Sequence, residues 1–147
     1  MSNPSVTIRE ADKENIDRVE ALLAANGLPY QDVRAKSGDF FVAYSDTECI
    51  GTGGVEICGS NGLLRSVVIT DSNRGQGYGT ALCDALEDYA RTNEVEKLYL
   101  LTTTAASFFR QRGYEKIVRE NVPTSVQQTT EFTDLCPNTA TCMGKNL

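Results

Sequence analysis

Leu63-Leu64-Arg65-Ser66-Val67-Val68-Ile69, then Thr70-Asp71-Ser72-Asn73 and Arg74-Gly75-Gln76-Gly77-Tyr78-Gly79-Thr80, is the stretch on which the fold turns. Its apolar residues Leu63, Leu64, Val67, Val68 and Ile69 read as a buried strand. Behind the loop, Leu82, Ala85, Leu86 and Tyr89 recur at helical spacing, with Asp84, Glu87 and Asp88 beside them. Between strand and helix, Gly75, Gly77 and Gly79 alternate and leave backbone N–H groups uncovered where a helix begins. A helix start offers unpaired N–H donors and the positive end of its dipole, which together suit a phosphate. Arg74 adds a cation. An ordinary glycine-rich turn is the competing reading, and the flanking strand and helix favour a phosphate-bearing cofactor.

Two better-known phosphate loops do not fit. A P-loop ends in lysine and serine or threonine, whereas Gly79 precedes Thr80 here. A dinucleotide fold wants G-x-G-x-x-G, and these glycines alternate as G-x-G-x-G.

A chain of 147 residues suits one domain, 1–147, with a sizeable core. No apolar run reaches the length of a membrane span, and Met1 to Pro4 is polar rather than a signal sequence, so a cytoplasmic protein is expected. The net charge of −6 argues against nucleic acid or anionic membrane as partner, so an anionic ligand needs a local cluster. Histidine is absent, which removes His-based triads and His-ligated zinc; no metal site is expected. Five cysteines in irregular spacing fit a reducing compartment better than a disulfide framework.

In chain order, Val6, Ile8 and Ala11 alternate with polar neighbours as a first strand. Asp12 is positioned to cap a helix carrying Ile16, Val19, Leu22 and Leu23 and ending at Asn26-Gly27. Leu28-Pro29-Tyr30 interrupts the chain, and Val33 sits in a short turn or helical segment. Phe40 to Tyr44 and Cys49 to Cys58 read as antiparallel strands, with Gly51, Gly53 and Gly54 marking a bulge or a close approach. Gly59-Ser60-Asn61-Gly62 is a hairpin turn. Beyond the central helix come a strand from Lys97 to Leu101, a short helix from Ala105 to Arg112, and a strand at Tyr114, Ile117 and Val118. A helix follows from Pro123 through Thr129 or beyond, and a last strand from Ala140 to Met143. This order implies an α/β (α+β) fold: a mixed, mainly antiparallel sheet of six to seven strands with helices on both faces.

Arg74-Gly75-Gln76-Gly77-Tyr78-Gly79 behind Val67-Val68-Ile69 resembles the acetyl-CoA-binding motif of the GNAT acetyltransferases, Q/R-x-x-G-x-G/A. The resemblance implies that the fourth and fifth strands splay apart and that acetyl-CoA sits in the gap as cosubstrate. Backbone groups of Val67, Val68 and Ile69 would then align the pantetheine, and Arg74 with the N–H groups of Gly75, Gln76, Gly77, Tyr78, Gly79 and Thr80 would hold the pyrophosphate. A second family element, N-x-x-A-x-x-L-Y followed by G-F/Y, reads here Thr102-x-x-Ala105-x-x-Phe108-Phe109 with Gly113-Tyr114. It departs from the family at the tyrosine that often protonates the leaving thiolate, which is Phe109, and at the asparagine, which is Thr102. The run from Lys97 to Thr103 is similar to the acetyltransferase domain of N-acetylglutamate synthase. Gly27-Leu28-Pro29, Leu63-Leu64-Arg65-Ser66, Leu100 to Ala105, Phe132 and Leu135-Cys136-Pro137 resemble the small acetyltransferases of arsenic-resistance operons. Both likenesses point to the α-amine of a small amino acid.

In the family reaction a neutral amine attacks the thioester directly. Glu56, interrupting an apolar strand beside the central one, is the candidate base acting through water; a solvent-facing strand residue is the alternative. Arg65 either meets a substrate carboxylate with its fork or forms a structural salt bridge to Glu56 or Glu10. Thr103, Ser107, Tyr78 and Tyr114 offer hydroxyls to the thiolate, as does water, and Thr103 stands with Glu56 as the catalytic candidate. Tyr30, on a lid formed by Leu28-Pro29-Tyr30 by family analogy, and Phe109 are placed with Arg65 on the acceptor side. Cys136 and Cys142 read either as a soft-metalloid pair or, for Cys142, as a small apolar strand residue. Three functions stay open: an amino-acid N-acetyltransferase, monomeric or homodimeric; a protein or polyamine N-acetyltransferase; and a non-catalytic acetyl-CoA or arsenical binder.

Overall fold

The computed structural model describes residues 5–28, 30–31, 33–34, 39–129 and 140–147. In chain order the strands and helices are β1 (Thr7–Glu10), α1 (Ile16–Ala25), β2 (Phe40–Ser45), β3 (Glu48–Cys58), β4 (Asn61–Ile69), α2 (Tyr78–Thr92), β5 (Lys97–Thr102), α3 (Ala106–Gln111), β6 (Glu115–Lys116), α4 (Thr124–Gln127) and β7 (Thr141–Asn146). Seven strands form one sheet in the order β1-β2-β3-β4-β5-β7-β6. Every neighbouring pair is antiparallel except β4 and β5.

Helices cover both faces because successive strand residues point to opposite sides. On one face, Leu82, Cys83, Leu86 and Ala90 of α2 and Phe109 of α3 pack on Ala43, Ile50, Val55, Leu64, Leu98 and Leu100. On the other, Ile16, Val19 and Leu23 of α1 meet Phe40, Val42 and Val68. Further along that face Val122 and Val126 close over Leu63, Tyr99 and Cys142. The glycines of β3 answer to these contacts. A Cβ on Gly53 would stand 2.6 Å from a methyl of Leu86, and one on Gly51 2.1 Å from the carbonyl oxygen of Val68. Close approach of helix and neighbouring strand therefore requires glycine at both.

The C-terminal third departs from the local pattern. The strand expected at Tyr114, Ile117 and Val118 contracts to Glu115–Lys116, and Val118 is 62% exposed. The expected helix from Pro123 is a single turn. The last strand runs on to Asn146 and inserts between β5 and β6. The first helix starts at Ile16, and Asp12 instead caps the turn before it, accepting from the N–H groups of Glu14 and Asn15 at 3.0 Å each.

Candidate active site

β4 and β5 pair only at Asn61–Lys97, Gly62–Leu98 and Leu63–Tyr99. Beyond those residues β4 continues to Ile69 and β5 to Thr102 without further pairing, so the sheet opens into a V. A cleft of about 920 Å³ fills this opening, walled by Leu64 to Ile69 on one side and Leu100 to Ala105 on the other. Phe108 and Phe109 of α3 close one end. Asn26, Gly27, Leu28, Tyr30 and Gln31, from the chain leaving α1, close another.

A bulge shapes the β4 wall. Thr52 pairs with Val68 but Gly54 with Arg65, so Ser66 and Val67 together face Gly53. Ser66 takes a left-handed backbone conformation, φ 63°. One residue of a bulge lacks a ladder partner, and that frees backbone polar groups on the cleft wall.

The glycine loop lies at the open end of the V. Gly75 and Gly77 adopt φ of 77° and 85°, and Gly77 immediately precedes α2, a helix of 15 residues. A Cβ on Gly75 would meet nothing within 4 Å, so the space beside it is open. Gly75, Gly77, Tyr78, Gly79 and Thr80 line a depression of about 230 Å³ that shares Ile69, Arg74, Gly79 and Phe108 with the larger cleft. Backbone N–H groups at a helix start with room in front of them fit a phosphate, and the residues present fit acetyl-CoA.

Most residues expected at the site come together here. Arg65, Val67, Val68, Ile69, Arg74, Gly79, Thr103, Phe109 and Tyr30 all line the cleft. Gln76 lines neither space and donates its amide to the Ser72 carbonyl at 3.3 Å. Of the four candidate hydroxyls, Thr103 is on the cleft wall, Tyr78 lines the loop depression and Ser107 faces solvent. Tyr114 is buried and donates its O–H to Glu87 at 3.0 Å. Burial, together with the Glu87 charge, raises its pKa above the ordinary phenol value.

Arg65 and Glu56 meet each other. Nη1 of Arg65 donates to Oε2 of Glu56 at 3.2 Å, with the arginine side chain entirely covered. The guanidinium lies over the ring of Phe40, 5.0 Å from its centroid, and Nε donates to Oγ of Ser66 at 3.2 Å. Glu56 itself is not on the cleft wall. Of the pairings left open by the sequence, the salt bridge to Glu56 forms.

Phe109 packs in the core edge-on to Phe108 and Tyr114, with ring centroids 5.1 and 5.4 Å away. Pro29 of the expected lid, and Phe132, Leu135, Cys136 and Pro137, lie outside the described residues. Cys142 is buried beside Leu63 and Tyr99, and burial raises the pKa of its thiol.

One polar cluster was not anticipated. Glu87 of α2 is buried and accepts from Arg112 at 3.0 Å, Tyr114 at 3.0 Å and Lys145 at 2.9 Å. Arg112 also reaches Asp84 at 2.9 Å. Burial alone would lower the arginine's pKa; the hydrogen bonds to Asp84 and Glu87 reverse this and raise it. Glu87 stands one turn from buried Cys83, which is the available signal, but apart from Arg91, one turn on at 4.0 Å, its partners are remote in sequence.

A family model for the acetyltransferase (GNAT) domain matches residues 36–116. The amino-acid acetyltransferase of Pseudomonas syringae pv. syringae is 31% identical over 65 residues, covering 44% of this chain and 15% of that protein. This chain therefore spans about a seventh of the length of that curated relative. N-acetylglutamate synthase from Neisseria gonorrhoeae, solved with coenzyme A and L-arginine, superposes with a TM-score of 0.82 over 99% of this chain and 34% of its own, at 19% identity. Rv2747 from Mycobacterium tuberculosis, solved in complex with CoA, gives 0.79 over 96% of this chain and 99% of its own, at 20% identity. At such identities the likeness is one of fold. With the family model matched over more than half of its length, the chain belongs to the GNAT acetyltransferase family.

Proposed function

We propose that this protein transfers the acetyl group of acetyl-CoA to the amine of a small amino-acid-like acceptor. The observation that carries the reading is the junction of two features: the V between β4 and β5, and the left-handed Gly75 and Gly77 opening α2 at its mouth. N–H groups of the loop would hold the pyrophosphate, and Val67 to Ile69 the pantetheine. The acceptor nitrogen, as free amine, attacks the thioester carbon; the C–N bond forms, the C–S bond breaks, the nitrogen gives up one proton to water, and the thiolate takes one up. Developing negative charge on the carbonyl oxygen is met by backbone donors at the Ser66–Val67 bulge. Thr103, on the opposite wall, offers its hydroxyl to the thiolate, with water as the alternative donor.

The acceptor class is supported by the amino-acid acetyltransferases among the relatives and by a cleft lining that sets Tyr30, Gln31, Ser66, Thr102 and Thr103 beside Arg65 and Arg74 with no carboxylate among the described residues. We assign Arg65 and Glu56 to one unit that supports the cleft wall: the covered ion pair holds Ser66, and with it the bulge. An acceptor carboxylate gripped by Arg65 is the competing role. Phe109 in place of a tyrosine favours the non-catalytic alternative, a module that binds acetyl-CoA without turnover. A link to arsenic resistance is proposed on the sequence resemblance alone, and is tested by whether expression raises the arsenite concentration a sensitive host tolerates.

Thiol release from acetyl-CoA, measured against free amino acids, their amides, polyamines and lysine peptides, tests the whole. Turnover with free amino acids above all others is expected. Preference for polyamines or peptides moves the acceptor class, and binding without turnover leaves the non-catalytic module.

A further inference from the structure

We propose that Asn26 is a positioning residue that ties the acceptor-side loop to the phosphate loop through Arg74. The proposal rests on the acetyl-CoA reading above.

Arg74, the residue before the glycines, is not simply a cation turned to solvent. Its Nε donates to the carbonyl of Ile69, the last residue of β4, at 3.0 Å. Nη1 pairs with Asp71 at 2.8 Å. Nη2 donates to Oδ1 of Asn26 at 2.6 Å, across 48 residues of sequence. Asn26 ends α1, where its own Nδ2 donates to the Leu22 carbonyl at 2.8 Å. Gly27 follows at φ 68°, and the N–H of Leu28 returns to the Leu23 carbonyl at 2.9 Å. The helix end is thus closed by hydrogen bonds, and of the residues that follow, Leu28, Tyr30 and Gln31 line the cleft.

A guanidinium has five N–H donors, and these contacts use three. Two remain for a phosphate oxygen in the loop while Asn26 stays bound. The Arg74 side chain is 51% exposed, so the bond to Asn26 adds little to stability in the free protein. Its value lies in position: a phosphate that fixes Arg74 fixes Asn26, and through the closed helix end it steadies Leu28, Tyr30 and Gln31 on the cleft wall. Any free energy that couples the two sites is reciprocal.

Hydrogen exchange with coenzyme A as probe reads this without knowledge of the acceptor. In the wild type, coenzyme A should slow exchange several-fold in peptides covering both 74–80 and 22–31. In Asn26→Ala the protection of 74–80 should persist and that of 22–31 should be lost. Asn26→Asp, which keeps an acceptor for Nη2, should restore it. With turnover in hand, Asn26→Ala should raise the acceptor KM at least fivefold, while the affinity for coenzyme A measured without acceptor stays within twofold. Equal protection of 22–31 in wild type and Asn26→Ala overturns the link, because coenzyme A then orders that loop by direct contact. Absence of protection at 74–80 in the wild type overturns the cosubstrate reading and this inference with it.

Discussion

Nη1 of Arg65 lies 3.2 Å from Oε2 of Glu56, with the arginine side chain wholly covered and the glutamate's 7% exposed. Two unit charges this deep are held by mutual attraction and by the hydrogen bonds around them, and removing one takes a buried counter-charge from the other. Breaking such a pair typically costs ~3–5 kcal/mol. Glu56→Gln should therefore lower Tm by about 10 °C or more, since each 1 kcal/mol moves a domain of this size by ~2–4 °C or somewhat beyond.

Arg65→Lys separates support from substrate contact. Lysine keeps the charge but loses the Nε donor to Ser66 and the planar stack on Phe40. A drop in Tm with acceptor and acetyl-CoA KM changing together is expected of a residue that holds the bulge. A wild-type Tm with the acceptor KM alone raised tenfold would instead put an acceptor carboxylate on Arg65.

The phosphate loop gives a charge test. Gly75 has φ 77° and open space where a Cβ would stand, and Asn and Asp enter that conformation more readily than other side chains. Gly75→Asp and Gly75→Asn should both fold, as read by circular dichroism. The carboxylate should weaken acetyl-CoA binding well over tenfold, more than ~1.4 kcal/mol, while the neutral amide of equal size costs much less. Similar losses in both would assign the effect to bulk and remove the anion-cradle reading.

Much of this site was legible because its signals are local. The strand from Leu63 to Ile69, the alternating glycines and the stripe on α2 are neighbours in sequence, and the structure sets them edge to edge. Gly51 and Gly53 announced a close approach that Val68 and Leu86 supply. What escaped was set by distant partners. β7 pairs with β5 along its whole length and separates β5 from β6, which no local pattern encodes. Ile117 still donates to the Cys142 carbonyl at 2.8 Å in the register of β6 and β7, and Val118 beyond it is exposed, so the strand expected there ends early. Glu87 reads as polar helix surface until Arg112, Tyr114 and Lys145 arrive from 25, 27 and 58 residues away.

Phe109 is 7% exposed, wedged between Phe108 and Tyr114, and forms part of the cleft wall. Phe109→Tyr adds one hydroxyl and keeps the ring. Tm should fall by only a few degrees, with turnover, followed by thiol release, equal or higher because a proton donor then faces the cleft. Phe109→Ala should cost ~3–5 kcal/mol as a cavity. Collapse of the tyrosine variant would show that the ring's far edge points into the core.

The Glu87 cluster predicts how the protein fails in alkali. Burial pushes the Cys83 thiol from 9.0 up to about 12, and burial together with Glu87 raises the Tyr114 phenol above its ordinary 10.0. Both groups hold their protons more tightly when folded, so the unfolded chain loses protons first as pH rises. Stability falls wherever the unfolded state binds fewer protons than the native one. The contribution of Cys83 is therefore whole below pH 9.0 and is lost towards about 12; that of Tyr114 is whole below 10.0 and is lost above it. Urea midpoints should decline steeply through this window. Cys83→Ala should flatten its lower part and Tyr114→Phe its upper part, leaving a residual slope from Tyr89, Tyr99 and Cys142, which burial also raises. Native Cys83 should also resist thiol reagents at pH 8, since little thiolate is present. An unchanged alkaline slope in both variants would show that these two groups do not govern the transition. Glu87→Gln tests the centre of the cluster: Arg112 and Lys145 would lose their shared carboxylate, and the variant should be destabilised by ~3–5 kcal/mol at neutral pH.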